Sequence, residues 1–237
     1  MAVVFDIGGS LALFRKAYTT TSTVSFPFPP PTAVAGIIAA VVGLNHNSSR
    51  KGCMASYWES MRETKIALRI VKYGTIERHA LNFWNTKNAN KSPHIQVKHQ
   101  FVRSPLYRIY VEGSIEDVLR QHLENETFIY TPYLGVAYAL ADITYVGHFE
   151  PLLLNGSTPV EVDSVIPWND GMSIDVVASG GAYKERMPFS MNTERSLTRT
   201  VDIVYAPSSE KKLRLLEKGG AHVTRCGEDT VVWFPAW

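Results

Sequence analysis

The apolar positions of this chain fall into long runs before about residue 150 and into short ones after it. Residues 3–14 are largely apolar and are broken by Gly8 and Gly9, which predicts a strand with a bulge or a close backbone approach at the glycines. Residues 19–25 carry Thr19, Thr20, Thr21, Ser22, Thr23 and Ser25, too few large side chains for a core, so they present hydroxyls and backbone groups. Pro27, Pro29, Pro30 and Pro31 then fix φ at about −65° and hold the residue before each proline extended. Thr32 caps a helix over residues 33–44 that is apolar on every side, which predicts full burial.

A polar loop covers residues 45–52, and a short helix is expected near 57–63. Residues 64–73 alternate Ile66, Leu68 and Ile70 against Lys65, Ala67 and Arg69, with Val71 breaking the rhythm, so a strand shows its basic residues on its outer face. The stretch 74–100 is the least core-like. Asn82, Asn85, Asn88 and Asn90 accompany Lys87, Lys91 and Lys98 around Phe83 and Trp84. Charge for phosphates, rings for bases and amides for base edges are what a nucleic-acid contact needs. A solvated β-hairpin with Trp84 folded back on the body is the other reading of the same composition.

Residues 101–111 return as a strand in which Pro105 marks an edge or a bulge. Ser114 caps a helix whose inner face is Ile115, Val118, Leu119, His122 and Leu123, with His122 read as a surface or interface histidine. A turn at 132–135 leads to a strand over 142–149. Beyond residue 150, β runs are expected at 158–167, 175–178 and 200–206, separated by Gly156, Gly171 and Gly180-Gly181. A last helix over 210–218 is capped by Ser208 or Ser209 and ended by Gly219-Gly220. A terminal hairpin follows, pairing 221–225 with 230–234.

Composition changes this picture in one respect. Hydrophobic content of 45% and charged content of 19% describe an ordinary globular protein. The net charge of +2, however, divides unevenly. Residues 1–108 carry fourteen Lys/Arg against four Asp/Glu, while residues 109–237 carry ten against eighteen. An imbalance of this kind points to a polyanion on one side. Cys53 and Cys226 lie far apart without metal-ligand spacing, as reduced thiols do in a cytoplasmic protein. The first residues lack the basic region of a signal peptide, and the most apolar run is too short for a bilayer that needs roughly 20 residues. No membrane contact and no cofactor are expected.

No P-loop, GxGxxG, HExxH or paired CxxC occurs. The one catalytic constellation is Lys98-His99 with Tyr18, Tyr73 or Tyr107, since histidine suits both proton transfers of metal-independent RNA cleavage and lysine stabilises the phosphorane. Neighbours on a strand point to opposite faces, which tells against joint action.

Three patches in order carry a resemblance. They are Phe14-Arg15 followed by the Thr/Ser run, Pro29-Pro30-Pro31-Thr32-Ala33, Gly36 and Gly43; the basic block before residues 101–111; and Thr131-Pro132-Tyr133-Leu134-Gly135. This order resembles the CRISPR-associated Cas-five family of the RAMP superfamily, in a style similar to its type I-B branch. The resemblance implies an α+β fold: a ferredoxin-like (RRM/RAMP) domain over 1–150, in the order β-α-β-β-α-β, with a projecting hairpin thumb at about 74–100. A smaller, mainly β part would follow at 151–237. It implies a subunit of a type I Cascade that holds the 5′ handle of the crRNA. The partners implied are the backbone subunits, the large subunit and target DNA near the guide duplex.

Under that reading Arg15 and Lys16 hold phosphates, Tyr18 stacks a base, and Thr19, Thr21 and Ser25 donate to phosphates or 2′-OH groups. Trp84, Lys87, Lys98 and His99 belong to the thumb. Arg103, Tyr107 and Arg108 form a second patch, Tyr133, Leu134 and Gly135 line the handle site, and Arg186 sits on a flexible basic loop over 180–188. In the type I-C branch this subunit cuts precursor crRNA with a Tyr, Lys and His set, which makes an endoribonuclease using Lys98 and His99 the alternative.

Overall fold

The computed structural model describes residues 1–19, 22–45, 54–87, 90–91, 93–154, 156 and 159–237. In chain order its longer elements up to residue 149 are β1 (Ala2–Gly8), α1 (Pro31–Val42), β2 (Lys65–Lys72), β3 (Thr75–Trp84), β4 (His94–Arg103), β5 (Leu106–Glu112), α2 (Glu116–Glu124) and β6 (Asp142–Phe149). A four-stranded antiparallel sheet runs β2–β5–β1–β6, with Val3 facing Val111 on one side and His148 on the other. The second part adds β7 (Tyr183–Met191), β8 (Leu197–Tyr205), β9 (Leu213–Lys218), β10 (Val223–Cys226) and β11 (Asp229–Val232). The chain is thus a mixed α+β fold in which strands dominate.

The period-2 pattern of β1 explains why this strand is central. Val3, Phe5 and Ile7 turn to one face, where they pack with Val34, Ile38 and Val41 of α1 and Leu119 and Leu123 of α2. Ala2 and Val4 turn to the other, where Ala67, Tyr110, Val231 and Trp233 meet them. Each large apolar side chain buried in this way contributes about 1.5–3 kcal/mol. The first core also takes in Val165, Met187, Phe189, Ile203 and Phe234, so it draws on both sides of residue 150.

Several sequence expectations are corrected. The register shift in β1 lies between Val4 and Phe5, not at Gly8-Gly9. Those glycines serve close approach instead: a Cβ on Gly9 would stand 2.7 Å from Leu140 O. Helix α1 starts at Pro31, with Pro30 as N-cap, so an imide nitrogen fills a position needing no donor and Thr32 is not the cap. The helix is also not buried all round, because Gly36 is exposed and Ala33 and Ala40 are half-buried. Helix α2 lacks a side-chain cap, and Ser114 Oγ donates to Ser60 O at 3.4 Å instead. Val118 is exposed and His122 half-buried, while Ile115, Leu119 and Leu123 are buried.

The expected strand over 101–111 is two strands in different sheets, separated at Ser104, whose φ is +51°. The break in rhythm at Val71 corresponds to a register shift between Ile70 and Lys72. Residues 213–218 are a strand rather than a helix, because Leu213 and Leu215 are buried at a spacing of two against residues 160–162 and 172–174. Residues 176–180 are a turn in which Asp175 Oδ1 accepts from Ala178 N at 2.9 Å. Residues 183–188 are the start of β7, paired along β8, and not a loop. Among the described residues no helix is long and apolar enough to cross a membrane, and no cluster of metal-ligating side chains is present. Burial pushes the Cys226 thiol up to about 11; Cys53 lies outside the described residues.

Asp202, between Arg186 at 2.6 Å and Lys184 at 3.0 Å, has its carboxyl lowered from 3.8 to about 2 by hydrogen bonds from Arg186 and then Lys184. A depressed carboxyl stabilises the fold above its unfolded value, and that contribution is lost as pH falls from about 4 toward 2. An NMR titration of the Asp202 carboxyl is therefore expected to show a midpoint near 2. A midpoint at the ordinary aspartate value would mean that neither cation is held.

Candidate nucleic-acid interface

The most exposed regular structure is the hairpin β3–β4, paired in unbroken register from Thr75↔Arg103 to Trp84↔His94. Alternation sorts its side chains onto two faces. One face carries His79, Leu81 and Phe83 on β3 opposite His99, Val97 and Ile95 on β4, with Phe101 nearer the base. The rings form a ladder. Phe83 lies 5.6 Å from His99, His99 stacks on Phe101 at 5.8 Å, and Phe101 meets His79 at 5.6 Å and Tyr138 at 6.3 Å. Phe101 is buried and anchors the ladder, whereas Phe83 is 41% and Tyr138 57% exposed. Such a row offers stacking surface at about 1–3 kcal/mol per base.

The other face is polar and basic: Arg78, Asn82 and Trp84 opposite Gln100, Gln96 and His94, with Lys98 opposite Ala80. Trp84 is 62% exposed, its ring edge-on to His94, and is not folded back on the body. Lys98 and His99 accordingly point to opposite faces. Thr23 joins the edge of β4, donating from N to Lys98 O at 2.9 Å and accepting at O from Gln100 N at 2.8 Å. This backbone pairing brings part of the Thr/Ser run alongside the hairpin.

The remaining sequence candidates separate into exposed and internal groups. Tyr18 is 75% exposed, and Lys87 and Arg15 are exposed too, with Arg15 donating to Thr19 O at 2.5 Å. Thr19 Oγ1 donates to Lys16 O at 2.7 Å. Thr21 lies outside the described residues. Lys16 is corrected to a structural cation: its Nζ pairs with Glu185 at 2.9 Å and lies over the Phe26 ring. Ser25 is buried, accepting from Phe14 N at 2.9 Å and donating to Phe26 O at 2.8 Å, so it has no outward hydroxyl.

Tyr107 is fully buried and donates to Pro27 O at 2.8 Å, and burial raises its phenol far above the usual range. Tyr73 donates to Ala206 O and is raised in the same way. Of the tyrosines proposed beside Lys98 and His99, Tyr18 alone is exposed. Arg108 binds Asp6 at 2.7 and 3.0 Å and reaches Asp229 at 3.3 Å, which makes it an internal ion-pair residue. Arg103 stays exposed while holding Glu77 at 2.8 Å; hydrogen bonds from Arg103 and then His79 keep the Glu77 carboxyl below its usual value. Arg186, on β7, is exposed but tied to Asp202 on β8.

Tyr133 is exposed at the rim of a groove of about 520 Å³ between α1 and residues 130–135, with Tyr57 and Tyr130 also on its walls. Burial pushes the Tyr57 phenol up to about 12. Leu134 is buried, and its backbone binds Leu13 N and Ala139 O. Gly135 does allow a close backbone approach, but to Leu13 of this chain. His79, Phe101 and Tyr138 were missed by sequence reasoning. The signal for the first two was the i, i+2 spacing of His79, Leu81 and Phe83 opposite Val97, His99 and Phe101.

The fold defined here is that of CRISPR-associated proteins. A chain of a CRISPR RNA-guided surveillance complex shares it at a TM-score of 0.56 and 13% identity, over 90% of this chain and 91% of that one. A CRISPR protein from Archaeoglobus fulgidus gives 0.57 at 15% over 98% of both chains, and a Cas protein gives 0.51 at 16% over 89% of this chain and 96% of that one. At these identities the likeness is one of fold. No curated protein matches the chain at a significant level. Residues 2–107 match the model of the family described as CRISPR-associated protein (Cas_Cas5).

Proposed function

We propose that this chain is a crRNA-binding, non-cleaving subunit of a type I-B-like Cascade, holding the 5′ handle. The observation that carries this reading is the ring ladder of Phe83, His99, Phe101 and Tyr138 on an exposed hairpin whose other face is basic. In this reading β1-α1-β2-β5-α2-β6 is the ferredoxin-like module of the RAMP superfamily, and β3–β4 is its thumb. The thumb stacks bases of the guide near its duplex with target DNA and meets the first backbone subunit, while the acidic half, residues 109–237, faces other partners such as the large subunit. Tyr18, Arg15 and Tyr133 supply further contacts to the handle. Such complexes act in the cytoplasm.

The split orientation of Lys98 and His99 supports binding without cleavage, because one phosphodiester cannot meet both from a single face. The test is a gel shift with a labelled repeat-derived RNA in EDTA, with its 5′ handle intact or scrambled. Handle-dependent binding without a cut is expected. Phe83→Ala is expected to weaken it about tenfold or more through lost stacking, and Lys98→Ala to reduce the salt slope by about one. Full affinity in Phe83→Ala would remove the hairpin from the interface. A discrete cut abolished by His99→Ala would replace this reading with the endoribonuclease.

A further inference from the structure

The two edges of the hairpin are not alike. The outer edge of β4 is covered by Leu11, Ala12 and Thr23, whereas β3 is the end strand of its sheet and no described strand pairs with its outer edge. Lys98 O and Gln100 N bind Thr23, so those residues turn their backbone groups away from β3, and Val97, His99 and Phe101 turn theirs toward it. The partners Leu81, His79 and Glu77 close the hairpin ladder. Ile76, Arg78, Ala80, Asn82 and Trp84 therefore direct N–H and C=O groups outward, apart from Trp84 O, which accepts from Thr86 N at 3.1 Å. Natural edges are blunted by lysine, proline or bulges. The sequence of β3, TIERHALNFW, contains no lysine or proline, and its register with β4 is unbroken.

We propose that this edge is self-complementary and pairs two copies of the chain, antiparallel, about a twofold axis at Ala80. In that register Ile76 faces Trp84 of the copy at both ends, Arg78 faces Asn82, and Ala80 faces itself. On the other face Glu77 meets Phe83 and His79 meets Leu81. No like charges stand opposite each other, and the two exposed apolar residues, Ile76 at 46% and Trp84 at 62%, cover one another. A shift of two residues either way separates Ile76 from Trp84 and shortens the ladder. The interface is isologous, so it closes at a dimer. Strand addition occupies only the edge, and both faces of each hairpin stay open.

Light scattering of the nuclease-treated full chain at micromolar concentration is the first measurement, with a dimer expected. Ala80→Pro removes one outward donor from each copy and leaves the β3–β4 ladder intact; it is expected to weaken the dimer about thirtyfold. Ala80→Glu, which sets two carboxylates opposite each other, is expected to give a monomer with an unchanged circular dichroism spectrum. Register is read by disulfide trapping. Facing Cα atoms in a hydrogen-bonded pair stand about 5.5 Å apart, within bridging range, so oxidised Ala80→Cys is expected to cross-link. Asn82→Cys, whose counterpart is Arg78, is not. A monomeric wild type, a dimer indifferent to both Ala80→Pro and Ala80→Glu, or cross-linking no better at position 80 than at 82 would overturn the proposal.

Discussion

Replacing Asp229 by alanine lowers folding stability by about 3–5 kcal/mol, the cost of stranding buried charge. The Asp229 side chain, 8% exposed, accepts from Arg69, from Arg108 and from the Tyr110 hydroxyl. Arg69 and Arg108 are register partners across β2 and β5, so without Asp229 two guanidinium groups face each other with Asp6 as the only described carboxylate at hydrogen-bonding distance from either. The Asp6 hydrogen bonds hold Arg108 above the ordinary arginine range, which keeps it charged whatever happens to its neighbour. Urea unfolding measures the effect as a lower midpoint at unchanged slope. Asp229→Asn, which keeps shape and a hydrogen-bond acceptor, is expected to lose less. A loss below about 1 kcal/mol for the alanine variant would class the cluster with exposed pairs.

Gly135→Ala comes next in size. Gly135 sits at φ +89°, and a Cβ there would stand 2.1 Å from Leu13 O. The left-handed conformation alone costs alanine about 1–2 kcal/mol, and relief of the overlap must part the Leu13 N to Leu134 O hydrogen bond, 3.0 Å long. A total near 3 kcal/mol corresponds to a fall of about 6–12 °C in Tm for a chain of this size. Thermal unfolding within 2 °C of wild type would show that the 132–135 turn is not fixed against Leu13.

What the sequence made legible followed from local pattern. The strands at 64–73 and 142–149 and the helix after the prolines rest on spacing within a few residues, whereas composition alone left open whether Trp84 was exposed or folded back. What it hid depends on distant partners. Lys16 looked like a phosphate ligand because Glu185, 169 residues away, was not in view, and Arg108 looked like one because Asp229 is 121 residues away. Ser25 is turned inward by its pairing with Arg15, which hydroxyl content does not reveal. Tyr107 was the avoidable error, since it shares one face with Ile109 and Val111 at period two. Residues 210–218 suit a helix by propensity, yet pairing with strands at 160–162 and 172–174 decides their state.

The central place of β1 bears on synthesis. Its seven residues leave the ribosome well before their neighbours, residues 106–111 and 142–149. At about 5–20 residues per second, roughly 7–30 s separate the emergence of β1 from that of its last partner. Throughout that interval a strand destined for burial on both faces has no sheet to join. The hairpin β3–β4, whose arms are adjacent in sequence, closes in microseconds. The nascent chain therefore carries a finished appendage before it has a body, and the step that commits it to fold is the arrival of residues 142–149.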